Sequence, residues 1–240
     1  MYSLSIIIPL YNEEKRIFKS LIKIRKFINQ NKKKKIEIIF VSDGSYDQTN
    51  KIINFFIKKN KKICKFKFIR YQKNIGKGYA VKKGILKSKN SWILMCDADM
   101  SVDPNQFNKW FKNKEIINDK TAYFGSRSHK KSQIKASIIR IFLGIFFRLL
   151  IKILFNIKLM DTQCGFKVFH KKYAFKVFKK INSSRFAFDV ELVIILKKNN
   201  IKIKELPLKW THKSGSKLNI LYDLPKMIYD IFLIKMSNKY

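Results

Sequence analysis

The chain has 240 residues, room for one large domain or a domain with a modest appendage. Its 53 Lys and Arg against 16 Asp and Glu give a net charge of +37, yet 46% of residues are hydrophobic, 14% are aromatic, and only 8 are Gly and 4 Pro. That composition supports a core and excludes a disordered basic tail, a collagen-like chain and a Gly/Ser linker protein.

The charge points to polyanions nearby, whether nucleic acid, anionic lipid or phosphorylated small molecules. Abundant Lys, Ile and Asn are also what AT-rich coding yields, so the net charge alone decides little. Residues 3–10 (SLSIIIPL) form a β-branched run that ends at Pro9 and the polar turn Tyr11-Asn12-Glu13-Glu14. Residues 16–28 then carry Ile17, Leu21, Ile24 and Ile28 at helical spacing. A second run, 36–41 (IEIIFV), stops at Ser42-Asp43-Gly44-Ser45, and 47–57 reads as a helix. A third, 66–71, stops at Asn74-Ile75-Gly76-Lys77-Gly78, with a helix over 79–86. The fourth, 91–96 (SWILMC), ends at Asp97-Ala98-Asp99. Four repeats of strand, polar turn and helix predict a doubly wound α/β sheet, parallel in this half.

In an open parallel sheet, ligands bind beyond the carboxyl ends of the strands. Pro9, Tyr11 and Glu13, then Asp43, then Asn74 and Lys77, then Asp97 and Asp99 all fall at those ends. Any one of these turns has an ordinary explanation as a tight turn, a helix entry or a cap. Four delivering acids, a lysine and glycines to one rim do not.

From residue 121 the character changes. Residues 121–125 read as a short strand followed by Ser126-Arg127, and 120–160 hold nine Lys or Arg and no acid. Within that stretch 138–157 is almost wholly apolar, and Arg140, Gly144, Arg148, Lys152 and Asn156 recur every four residues, one narrow stripe on a helix. Such a helix is either buried or lies in a membrane interface, and its cationic stripe favours the interface. Residues 218–240 are also amphipathic and mildly basic. No uncharged apolar run approaches the ~18–20 residues of a membrane span. Residues 1–14 lack the basic region and cleavage site of a signal peptide.

Asp97-x-Asp99 after a hydrophobic strand puts two carboxylates within reach of one hard cation. Mg²⁺ or Mn²⁺ prefers oxygen ligands and commonly completes its shell with substrate phosphates, and a diphosphate leaving group needs that neutralisation. The P-loop string G-x-x-x-x-G-K-[ST] is absent, and Gly76-Lys77-Gly78 does not make the dinucleotide fingerprint after the first strand. Cys64, Cys96 and Cys164, odd in number and without a C-x-x-C pair, read as buried reduced thiols. His129, His170 and His212 form no ligand pattern, and Trp92 and Trp210 read as core or interface residues. Asp189 and Glu191 either cap or pair near Arg185, or one of them serves as a base toward a hydroxyl acceptor.

Taken together, Pro9-Leu10-Tyr11-Asn12-Glu13, Ser42-Asp43-Gly44-Ser45, Asn74-Ile75-Gly76-Lys77-Gly78 and Asp97-Ala98-Asp99 resemble the successive motifs of family 2 glycosyltransferases with the GT-A fold. Gly125-Ser126-Arg127, Asp161-Thr162-Gln163-Cys164-Gly165-Phe166-Lys167, Phe188-Asp189-Val190-Glu191 and Gly215-Ser216-Lys217-Leu218 resemble its polyprenyl-phosphate branch. The Asp161 string is most similar to that of dolichyl-phosphate β-glucosyltransferases; mannosyl-transferring relatives more often have Ser-Gly-Phe-Arg there. The chain departs from the family pattern at Ser42, where many relatives have Asp, at Ser101, where some have Gln, and at Thr211, where Arg is frequent.

The resemblance implies a single α/β domain over 1–240, with a GT-A, Rossmann-like, doubly wound mixed sheet. A nucleotide-binding half (1–100) would precede an acceptor half (101–217) and an amphipathic, interfacial C-terminal segment (218–240). Pro9, Tyr11 and Glu13 would line the nucleotide pocket, Asp43 would read the base, and Lys77 and Lys217 would hold the phosphate end. Asp97 and Asp99 would bind the diphosphate through Mg²⁺ or Mn²⁺, and Arg127 and Arg140 would hold a lipid phosphate. Asp99, Arg127 and Asp161 are the expected catalytic set, with Asp161 positioning Lys167 or an arginine. A lipid monophosphate is already an anionic nucleophile and needs no general base, so the task is to bring two anions into line. Guanidinium groups suit it, because they pair bidentately with phosphate and stay charged.

The implied reaction is inverting transfer of glucose from a UDP-sugar to a polyprenyl phosphate, on the anionic cytoplasmic face of a membrane. Another sugar nucleotide such as GDP-mannose, or a hydroxyl acceptor, is the alternative; a homo-oligomer or a membrane partner stays open. A nucleic-acid-binding protein is the distant alternative. No helix-turn-helix, zinc-finger or RNP signature is present, and the densest basic stretch coincides with an apolar helix, so no specific nucleic acid is expected.

Overall fold

The computed structural model describes residues 2–135, 138–213 and 220–237, without the side chains of 135–143 and 220–222. The chain begins with four strands, β1 (Ser3–Leu10), β2 (Lys35–Asp43), β3 (Lys65–Tyr71) and β4 (Trp92–Met95), separated by α1 (Ile17–Gln30), α2 (Thr49–Asn60) and α3 (Lys77–Leu86). These are the four expected repeats, with element ends within three residues of the sequence reading. Then follow α4 (Asn105–Lys112), β5 (Thr121–Gly125), β6 (Gln133–Lys135), α5 (Ile138–Phe155), β7 (Lys167–His170), α6 (Lys171–Lys180), α7 (Phe188–Lys198), β8 (Lys202–Leu206), β9 (Lys209–Thr211) and α8 (Ile220–Met236).

Seven strands make one sheet in the order β3-β2-β1-β4-β7-β5-β8. β1 to β4 run parallel, as the repeats require, and β5 pairs parallel with β8. β7 lies antiparallel between β4 and β5, which makes the sheet mixed. β6 and β9 form a separate parallel pair, tied to residues after β4 through a bridge between Val102 and Trp210.

Both faces of the sheet are covered, so its central strands are apolar on successive residues rather than on alternate ones. Leu4, Ile6 and Ile8 of β1 face a core shared with Leu21, Ile24 and Phe27 of α1 and with Phe107 and Trp110 of α4. Ile7 faces the opposite core, with Val81 and Ile85 of α3, Phe178 of α6 and Leu192 of α7.

α5 and α8 complete that second layer and present two faces each. On α5, Phe147 and Ile151 are buried while Ile145, Phe146, Leu149 and Ile153 are exposed. At about 100° per residue the exposed four span an arc of roughly 100° opposite the buried pair, with Arg148 and Lys152 on the flank. On α8, Met227, Ile231 and Ile234 are buried, and Tyr229, Phe232, Leu233 and Met236 are exposed. Lys235 lies 5.7 Å from the Phe155 ring centroid, which brings the ends of the two helices together. Over residues 145–153 the apolar run therefore serves burial on one side and an open apolar face on the other. Among the described residues no helix is long and apolar enough to cross a membrane. Cys96 and Cys164 are buried free thiols; Cys64, expected to be buried as well, is only half-buried at the lip of β3.

Candidate active site

The strand order reverses at β1. The chain winds outward through β2 and β3, then returns to place β4 on the other side of β1. A crevice opens at such a switch point, beyond the carboxyl ends of the strands. Here it is a cavity of about 340 Å³ whose lining includes Pro9, Tyr11, Glu13, Asp43, Lys77, Asp97 and Asp99. All seven were singled out from the sequence.

The turns around the cavity are tied to one another by hydrogen bonds. Asn12, at a positive φ of 50°, donates its N–H to Ser45 Oγ (3.1 Å) and accepts at Oδ1 from Tyr46 N–H (3.0 Å). Glu13 N–H donates to Thr49 Oγ1 (2.7 Å), so the first turn is fixed to the second. Asp43 fixes the second to the third. Its Oδ1 accepts from Ile75 N–H (2.9 Å), and its Oδ2 accepts from Gly76 N–H (2.8 Å) and Asn74 Nδ2 (2.9 Å). Asp43 lines the cavity where a base contact was expected, but its carboxylate is largely occupied in shaping the 74–76 turn.

Gly76 has φ +131°, and a β-carbon there would sit 2.5 Å from Ser184 O. The glycine turn can therefore pack against the 182–186 loop, whose Ser184 carbonyl accepts from Tyr79 N–H (2.9 Å). Glu191 holds that loop from below, accepting from Asn182 N–H (2.9 Å) and Ser183 N–H (2.6 Å). This brings Arg185 and Phe186 to the cavity wall, where Asp223 of α8 joins them. None of these three had been assigned to the site. Their signal is a tertiary one, a loop some 110 residues downstream docked on the third turn.

The fourth turn carries the two carboxylates. Asp97 pairs with Lys77 (Nζ–Oδ1 2.6 Å). Burial alone would raise the Asp97 pKa; Lys77, with Lys167 and Arg127, outweighs it and holds the carboxyl below its ordinary value. Burial would conversely lower Lys77, and Asp97 with Asp189 keeps it raised. Asp99 accepts from Ser101 N–H at Oδ1 (2.8 Å), while its Oδ2 lies 3.8 Å from Arg16 Nη1. Asp97 and Asp99 thus offer hard oxygen donors from one turn into one cavity, each beside a cation of the protein. Among the described residues no cluster of three or more His, Cys, Asp or Glu forms a metal cage. The donor set fits a cation that keeps ligand positions for water and phosphate, which is the habit of Mg²⁺ and Mn²⁺ at phosphate sites.

The Asp161–Lys167 string lies directly beside this turn. A β-carbon on Gly165 would fall 1.9 Å from Asp97 Oδ2. Asp161 grips Arg127 bidentately (Nε–Oδ2 2.7 Å, Nη2–Oδ1 2.9 Å) and also accepts its backbone N–H (2.9 Å). Burial would raise Asp161 and lower Arg127; each is shifted the other way by its partner. Glu205 steadies the segment, accepting the N–H groups of Met160 and Asp161 (2.9 Å each). Of the two partners suggested for Asp161, the arginine is the one it holds.

Lys167 is fully buried and donates to Asp189 Oδ1 and to Cys164 O, both at 2.6 Å. Burial raises the Asp189 pKa despite this partner. Asp189 thus pairs with Lys167, and Glu191 accepts from the backbone of Asn182 and Ser183. Arg140 belongs to α5, but its side chain lies outside the described residues, and Lys217 lies outside them altogether. Trp210 is buried beneath Arg127, whose guanidinium carbon is 5.9 Å from its ring centroid.

A mixed sheet with an acidic turn after its fourth strand and a basic, arginine-bearing flank suits a glycosyltransferase of GT-A fold. The glycosyl transferase family 2 model matches residues 5–178, and the chain belongs to that family. It is 36% identical to the dolichyl-phosphate β-glucosyltransferase of Dictyostelium discoideum, over 97% of this chain and 73% of that protein. The human protein of the same name is 34% identical over 97% of this chain and 75% of its own length. Among solved structures, mannosyl-3-phosphoglycerate synthase from Rubrobacter xylanophilus superposes with a TM-score of 0.67 at 15% identity, covering 99% of this chain and 74% of that one. A Pyrobaculum calidifontis mannosyltransferase, in complex with GDP-Man and Mn²⁺, superposes with a TM-score of 0.62 at 12% identity, covering 94% and 61%. These likenesses share the fold.

Proposed function

We propose that this protein transfers glucose from UDP-glucose to a dolichyl-type polyprenyl monophosphate, with inversion, using Mg²⁺ or Mn²⁺. The observation that carries the reading is the packing of Gly165 against Asp97. The string most similar to dolichyl-phosphate β-glucosyltransferases is built into the donor site rather than set apart from it.

The uridine end belongs among Pro9, Leu10, Tyr11 and Asn74, and the diphosphate at the Asp97–Asp99 end of the same cavity. Asp97 and Asp99 would hold the divalent cation, which would supply charge neutralisation for the departing diphosphate. Lys77, now on Asp97, is placed to follow the phosphates. On the acceptor side Arg127 presents a charged guanidinium whose Nε and Nη2 are fixed by Asp161, leaving Nη1 for the lipid phosphate. The nucleophile arrives deprotonated, so the protein's contribution is to overcome repulsion between two anions and to align them. No base is required, in keeping with the engagement of Asp189 by Lys167.

The exposed apolar faces of α5 and α8, flanked by Arg148, Lys152 and Lys235, suit the headgroup region of an anionic membrane, where the acceptor resides. We place the protein peripherally on the cytoplasmic face. The test is release of UDP from UDP-glucose with and without a polyprenyl phosphate. Release that depends on both the lipid phosphate and the cation supports the reading; equal release with a sugar hydroxyl acceptor opposes it.

A further inference from the structure

We propose that Arg16 is a ligand of the donor diphosphate, preset by Glu13 and resting beside Asp99 until the donor arrives. This rests on the reading of the donor as a nucleoside diphosphate sugar.

The Glu13 carboxylate takes one edge of the Arg16 guanidinium, accepting from Nε and from Nη2 (2.7 Å). Glu13 is itself buried, and its backbone N–H is fixed to Thr49, so the plane of the guanidinium is set by the first and second turns together. The remaining nitrogen, Nη1, is buried without a hydrogen-bond partner. Its nearest anion, Asp99 Oδ2 at 3.8 Å, is beyond hydrogen-bonding distance. A buried charged donor left unsatisfied is costly, and native proteins keep few of them. Arg16 is among the residues lining the cavity that also holds Lys77, Asp97 and Asp99.

Charge balance leads to the same residue. The cavity lining carries the carboxylates Glu13, Asp43, Asp97, Asp99 and Asp223 against the cations Arg16, Lys77 and Arg185, so a diphosphate entering it needs each of those cations. Arg16 approaches from the β1 turn and Lys77 from the start of α3. A guanidinium suits phosphate oxygens, because it stays charged and offers paired donors in one plane. The geometry also gives Glu13 a role distinct from nucleotide contact, since its carboxylate oxygens are taken up by Arg16.

The test is calorimetric titration of UDP and of uridine into the full chain and into Arg16→Gln, with and without Mn²⁺. The expected result is a loss of about 10- to 100-fold in UDP affinity with uridine affinity unchanged, the size of one or two charge-assisted hydrogen bonds. Arg16→Lys, which keeps the charge but not the paired donors, should fall between the two and serves if Arg16→Gln does not fold. Glu13→Gln should weaken UDP more than uridine as well. Unchanged UDP affinity in the Arg16 variants, or equal losses for UDP and uridine, would overturn the proposal. A wild-type chain that binds neither UDP nor UDP-glucose would instead overturn the donor reading on which it rests.

Discussion

Gly165 and Asp97 touch: a β-carbon on the glycine would sit 1.9 Å from the aspartate Oδ2. Two motifs 68 positions apart meet because β7 inserts antiparallel beside β4, with Met95 opposite Lys167 in register. The atom in the way is a side-chain carboxylate rather than backbone, so Gly165→Ala should fold and displace Asp97. The expected outcome is a loss of turnover of at least about 100-fold, the scale of an ångström's misplacement at a reacting centre, with an unaltered circular dichroism spectrum. Full activity in Gly165→Ala would show that Asp97 need not occupy this position.

Asp99→Ala removes one of the two carboxylates proposed to hold the cation, and turnover should be abolished. Mn²⁺ binding in the presence of UDP, followed by electron paramagnetic resonance, should weaken in parallel. An active Asp99→Ala protein would remove the case for a metal at this turn.

The Arg127–Asp161 pair makes stability depend on pH in a defined direction. Asp161 titrates below its ordinary value in the folded protein because Arg127 outweighs the effect of burial. Its contribution is therefore complete above the unfolded carboxylate value of about 3.9 and drains away as pH falls through the lower folded value. Asp161→Asn should lower stability near neutral pH by about 1–3 kcal/mol, toward the lower figure because about a third of the Arg127 side chain faces solvent. The gap from wild type should close in acid. Urea unfolding at a series of pH values measures it, and a gap that stays constant into strong acid would contradict this linkage.

How far the site was legible in the sequence follows from the range of the interactions. Pro9, Asp43, Lys77, Asp97 and Asp99 stand at strand ends, so a period-2 or continuous apolar run followed by a polar turn locates them without tertiary knowledge. Arg16 was passed over because it sits where the helical pattern begins; only its i,i+3 spacing from Glu13 hinted at a pair. Arg185, Phe186 and Asp223 reach the cavity through the docking of a loop and of α8, which no local pattern encodes. Asp43 illustrates the converse: its position was plain, but its attachment to the backbone of Ile75 and Gly76 depends on the facing turn. The short strands β6 and β9 were missed because three residues carry no period, and the antiparallel setting of β7 depends on partners far along the chain.

The open face of α5 and α8 should govern membrane binding and leave the donor site untouched. Replacing Phe146, Leu149 and Phe232 with Ser should reduce co-sedimentation with vesicles containing anionic lipid, while UDP affinity stays at the wild-type level. Each exposed large apolar side chain is worth about 1.5–3 kcal/mol when fully buried, so the triple variant should show a clear loss. Wild-type binding should also weaken with salt, since the flanking cations act through a screened field. Vesicle binding unaffected by the three substitutions would move the membrane contact elsewhere.

The most direct test of the proposed reaction is a donor panel with a polyprenyl phosphate in detergent, with Mg²⁺ or Mn²⁺, scored by label extracted into the lipid phase. UDP-glucose should be the sole or best donor, with little transfer from GDP-mannose or UDP-N-acetylglucosamine. Preferential transfer from GDP-mannose, or no transfer to the lipid phosphate from any donor by a folded protein, would contradict it.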